Sequence, residues 1–278
     1  MLQNKIVLAD TTGTIDPTVM AAAAEALNVQ VTRDLPQFWN VSATVSYGPD
    51  PNVIPQGVWP VLIVDSLDDG EGGYHQTQQN QPYAKVLNTP GSDEWTIDAS
   101  HEIVEMLVDP YGSRLQASVA VELVDGQIMD VAGKLEYLVE ACDPCEANAL
   151  AYAIDGIMVS DFITPSFYDF AAMPNGRYSF TGAVTAPRQI LPGGYITWMD
   201  PQTDLLTQIV WVDPTAPPQM RVLDKTPLTA SLREFVEACT HPIVCGQRAA
   251  VTDATLQARR SNRANLEAAA RFRAKHYR

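Results

Sequence analysis

No stretch of this 278-residue chain approaches the roughly 18 consecutive apolar residues of a membrane-spanning helix, so none is expected. The start, MLQNKIVLADTTG, has no apolar core behind a basic end, so a signal peptide is not expected; a mature form with its leader removed also fits. There is no P-loop and no dinucleotide fingerprint. No G-x-S-x-G elbow is present, so Ser160 and Asp161 in VSDF do not read as a nucleophile site. Internal repeats and long low-complexity tracts are missing too. Positive charge is scarce: 18 Lys and Arg stand against 33 Asp and Glu, a net −15, which argues against nucleic acid as a partner for the body. Only four cysteines occur, Cys142, Cys145, Cys239 and Cys245. Their C-x2-C half suits zinc, but the C-x5-C half is loose and Pro144 and Pro242 interrupt the loops. Disulfides or buried thiols are the favoured reading over a four-cysteine zinc site.

What is present suffices for a core. Hydrophobic residues make up 46% of a chain long enough for one large domain or two small ones. DPTVMAAAAEALNVQVTRDLPQFW (16–39) predicts a long helix, with Asp16 as N-cap and Pro17 in the first turn. SATVSYG (42–48) and the apolar run WPVLIVDSL (59–67) predict strands, the second one buried. YAKVLN (83–88) alternates like an edge strand. DDGEGGYHQTQQNQ (68–81) is rich in Gly and Gln and reads as a loop. Beyond Pro110 the pattern turns to β and loop. A hairpin is expected over 118–133 around Asp125-Gly126, and EYLVEACDPCE (136–146) reads as a strand entering a turn. Residues 154–168 and 177–184 look extended, and 193–200 with 207–213 form a second hairpin. Pro214, Pro217 and Pro218 mark a linker before an amphipathic helix at 229–241. Between residues 248 and 278 there are eight Lys and Arg but only Asp253 and Glu267, so a helical tail of +6 follows a body of −21. That asymmetry suggests docking to an acidic surface, with an unpartnered solvated helix as the plain alternative.

One segment stands out, ASHEIVEMLVDP at 99–110. At about 100° per residue, Glu105 falls near 40° from His101, Asp109 near 80° and Glu102 near 100°. Ile103, Val104, Met106 and Leu107 fill the opposite side. Ser100 can cap the start and Asp109-Pro110 can end the helix. The i, i+4 spacing lets His101 and Glu105 reach one ion, as the histidines of H-E-x-x-H do. Glu102 stands where a general base belongs. The plain alternative is an exposed polar face on an acidic protein.

Downstream, VEACDPCE places Glu140, Asp143 and Cys145 in the pattern E-x-x-D-x-C. Together, SHEIVEMLVDP and VEACDPC resemble zincin-like proteins that carry H-E-x-x-E, with Exordium-like proteins of plants as distant relatives. GYHQTQQNQPYAKV and GIMVSDFITP resemble segments of an uncharacterised bacterial and phage group. The resemblance covers roughly residues 25–200 and is most specific at 95–110 and 138–146. The predicted order of long helix, strand, buried strand, edge strand and helix is also that of zincin metalloproteases.

The resemblance implies a zinc ion held by His101 and Glu105, with Glu102 activating metal-bound water. The third ligand would be Glu140, which ends a strand and reaches farther, or Asp143, which would otherwise orient a ligand or shape the turn. One His with two carboxylates formally cancels the zinc charge, so bound water would be less acidic than in a His-rich site. Oxygen ligands also admit Ca²⁺ or Mn²⁺. In a zincin the cleft lies beside the edge strand, which brings His75 and Tyr83 into view as oxyanion donors. A surface His and a packed Tyr are the favoured readings. His241, between two cysteines, reads as a residue at a helix C-terminus, and His276 belongs to the tail.

The expected architecture is α+β: a zincin-like domain with a mixed twisted sheet and an active-site helix (1–165), a mainly β portion (166–225) and C-terminal helices with a basic tail (226–278). The expected function is a metal-dependent hydrolase, first of all a peptidase acting on a protein or peptide substrate. The alternative is a catalytically silent zincin-fold component of a virion or other assembly, in which metal and tail serve stability, docking or homo-oligomer formation. The expected location is the cytoplasm or a virion.

Overall fold

The chain folds as a mixed α and β protein built on several sheets. The computed structural model describes residues 3–67, 72–88, 92–223 and 231–248, the last eight by backbone alone. The basic tail beyond Arg248, with His276, lies outside the described residues. Two compact units form. Among the described residues, the first comprises the chain up to Pro110 together with Ala151–Ser160; the second comprises Tyr111–Leu150 and the chain from Asp161 to Arg248.

In the first unit five strands make one sheet: β1 (Asn4–Asp10), β2 (Ala43–Tyr47), β3 (Trp59–Val64), β4 (Gly73–Gln78) and β5 (Gln81–Leu87). Their order is β2-β1-β3-β5-β4. The first four in that row run parallel, and β4 alone is antiparallel. β1 comes from the opening residues, whose apolar run suits a strand paired on both sides. Helix α1 (Pro17–Val29) follows, and Asp16 caps it by accepting from the Thr18 amide at 2.7 Å. Beyond Val29 the expected long helix loosens into a π-helical turn (Gln30–Asp34) and a 3-10 turn (Leu35–Gln37). Pro36 lacks the amide hydrogen that would continue the helix.

Two strand expectations are corrected. The Gly- and Gln-rich stretch is not all loop, because 73–78 is β4. Gln79 and Asn80 both take positive φ, the geometry of a two-residue hairpin turn, and this pairs β4 with β5. In consequence β5 is interior and β4 is the edge strand. β8 (Tyr152–Ile154) and β9 (Ile157–Val159) form a small hairpin that packs, within this unit, on helix α2 (Trp95–Val108) and on α1.

The second unit is an antiparallel sheet of β6 (Leu115–Val124), β7 (Gln127–Leu138), β10 (Tyr195–Met199), β11 (Leu206–Val210) and β12 (Gln219–Leu223), in the order β12-β11-β10-β7-β6. Both predicted hairpins are there, the first turning at Asp125-Gly126 with positive φ at both residues. The β-rich part is wider than 166–225, because Tyr137 of β7 pairs with Trp198 of β10 across a long sequence gap. β12 occupies sequence expected to lead straight from linker to helix. Residues 177–184 form only one bridge, Ser179 to Ile163. Helix α3 (Leu232–Arg248) closes the sheet, so His241 lies within a helix rather than at its end. Leu232 and Val236 join Leu138, Tyr195, Leu206, Val210 and Leu223 in the core.

Candidate metal centre

α2 begins at Trp95, five residues before the predicted cap. Ser100 is therefore inside the helix and fully buried. Its hydroxyl donates to Gln30 Oε1 at 2.8 Å and accepts from the Ser160 amide at 2.9 Å. Gln30 Nε2 donates to the Ser160 carbonyl at 3.0 Å. Three buried polar groups thus satisfy one another and pin α2 to the π-helical turn and to the end of the β8–β9 hairpin. Asp109 ends α2, its amide donating to the Glu105 carbonyl at 2.7 Å.

The polar side of α2 is not a wet face. Glu105 is 0% exposed and Glu102 4%. The His101 ring reaches solvent slightly, at 12%. His101 Nε2 lies 3.2 Å from Glu105 Oε2 across one helical turn. Two ligand atoms bound at about 2.0–2.1 Å to a tetrahedral ion sit about 3.3 Å apart. The pair therefore fits a shared zinc ion with little movement.

Glu102 is held from β4. His75 Nδ1 lies 3.3 Å from Glu102 Oε2, and His75 Nε2 lies 3.3 Å from the Asp109 carbonyl. The ring is 1% exposed, which overturns the surface reading of His75. His75 stands opposite Ala84 in the β4–β5 ladder, and directly paired residues share a face. That face carries the buried Ala84 and Val86 and packs beneath α2. His75, Glu102 and Glu105 each offer one ligand atom within 4.8 Å of the others.

Tyr83 is on the other face, opposite Gln76, and its hydroxyl donates to Gln76 Oε1 at 2.9 Å. It packs edge-on against Tyr74. Strand alternation thus places it away from His75 and α2.

Glu140 and Asp143, the sequence candidates for a third ligand, belong to the second unit and are 6% and 2% exposed. Glu140 Oε2 accepts from Arg233 Nη1 at 2.8 Å. Arg233 also binds Glu237 through Nε at 2.8 Å, and its amide donates to the Gly112 carbonyl at 2.9 Å. Cys142 and Cys145 are buried, and Cys239 is a half-buried free thiol.

Sequence reasoning missed His75 as a partner of Glu102. Its signal was present but faint, a lone histidine in a short alternating run before Gln79-Asn80. No family model, no curated protein and no solved structure matches this chain.

Proposed function

We propose that the first unit binds a divalent metal ion on α2, zinc first, and that the chain is a zincin-like metal-dependent hydrolase of peptides. The observation that carries this is the 3.2 Å approach of His101 Nε2 to Glu105 Oε2, with buried Glu102 beside them. Zinc, when bound, acts as a Lewis acid on a carbonyl and lowers the pKa of water. Glu102 takes the proton of the attacking water on a carboxylate oxygen and later returns it to the leaving amine. The sheet supports a peptide as substrate. β4 is its edge strand beside α2, and among the described residues no strand pairs with its outer side. An extended peptide can add there by backbone hydrogen bonds.

The test is Glu102→Gln with an unstructured protein as substrate. The variant keeps the fold and the metal and loses cleavage by about 100-fold or more. Equal cleavage by variant and wild type, or none by wild type, overturns the peptidase reading. The sequence expectation of a third ligand is tested by the metal content of Glu140→Gln and Asp143→Asn.

The burial of Glu102 and Glu105 favours one other reading: a closed metal site that serves stability in a virion or other assembly protein. The basic tail then docks on acidic neighbours. In that reading, deleting 248–278 reduces assembly size in light scattering, and an unchanged size removes it.

A further inference from the structure

We infer that His75 is the positioning residue of Glu102, an inference that rests on the base role proposed above. Hydrogen-bond accounting carries it. The Asp109 carbonyl can only accept, so His75 Nε2 at 3.3 Å must bear a hydrogen. That leaves Nδ1 facing Glu102 Oε2 at 3.3 Å. Glu102 Oε2 is thereby tied to β4.

Gly73 completes the socket. A Cβ at that position would stand 3.1 Å from Glu102 Cγ and 3.2 Å from its Oε1. Backbone on one side and an imidazole on the other thus enclose the Glu102 side chain. The ring is itself locked, since its far nitrogen is bound to the residue that ends α2. One histidine therefore fixes both the direction of the carboxylate and the height of β4 against the helix. A charged residue placed only for solubility needs no such enclosure. A base that must meet a proton within a few tenths of an ångström does.

The experiment has two arms. In metal-free protein, long-range ¹H–¹⁵N spectra of the imidazoles read the contact without any activity. The expected result is one ring protonated at Nε2, absent from His75→Ala, whose Nδ1 resonance shifts in Glu102→Gln. A ring bearing its only proton at Nδ1, or one indifferent to Glu102→Gln, overturns the inference. In the metal-loaded protein, His75→Ala keeps wild-type metal content and KM while kcat falls on the order of 10- to 100-fold. His75→Asn, whose amide offers a donor near the place of Nδ1, recovers part of that loss. Loss of metal in His75→Ala overturns positioning and makes His75 a ligand. Unchanged kcat in His75→Ala overturns the inference alone, whereas a wild type that hydrolyses no peptide overturns the base role and the inference together.

Discussion

Gly73 shows how much rests on a single absent side chain. Its neighbours are Glu102 and the Lys85 carbonyl, the latter 3.2 Å from where a Cβ would stand. The carbonyl belongs to a strand paired on both sides and yields little, so Gly73→Ala pushes on Glu102 instead. The expected result is a loss of hydrolysis of roughly 10- to 100-fold, with thermal unfolding close to wild type. Activity equal to wild type would show that the socket does not orient Glu102. The partnership of His101 and Glu105 was legible in the sequence, because an i, i+4 pair needs only local helical geometry. The contact between His75 and Glu102 was not. It joins residues 27 apart in sequence, and only sheet pairing brings them together. The burial of Glu102 and Glu105 was equally hidden, since helical periodicity separates polar from apolar faces but cannot say what packs on the polar one.

Among the elements, legibility followed how local the determining interaction is. α1, β2, β3 and the Asp125-Gly126 hairpin announce themselves by caps, apolar runs and turn residues. β4 did not, because its Gly and Gln residues carry weak strand preference and its pairing comes from the turn at Gln79-Asn80. The alternation of β5 suggests an edge strand for a related reason: strand order is a long-range property, and alternation alone does not exclude an interior strand. Ser100 resembles a cap in sequence because Ser is a common cap residue. In the fold it is an interior bridge to Gln30 and Ser160. α3 offers the clearest stability prediction at this scale. Arg233, 3% exposed, compensates two buried carboxylates, Glu140 and Glu237. Arg233→Ala takes this buried cation from both, and a cost of about 3–5 kcal/mol is expected as a lower urea midpoint. Replacing Arg233, Glu140 and Glu237 together by apolar residues of similar volume is expected to restore most of it. A midpoint unmoved by Arg233→Ala would show that solvent reaches the cluster.

For the whole molecule, composition set the class and topology set the partition. An acidic chain without long apolar runs predicted no membrane helix, and no described helix is long and apolar enough to cross a membrane. The mixed α and β character was also legible. The division into units was not, because the first unit takes back Ala151–Ser160 after the chain has entered the second, and only the packing of β9 on α1 and α2 reveals that return. The proposed function depends on α2 of the first unit, where a direct His101–Glu105 contact and a metal site would share one geometry. Elemental analysis of the purified protein, with His101→Ala as its control, separates them most directly. The account predicts one divalent ion per chain in the wild type and its loss from the variant. A wild type that stays empty in the presence of zinc, or a variant that loads as fully as the wild type, would contradict it.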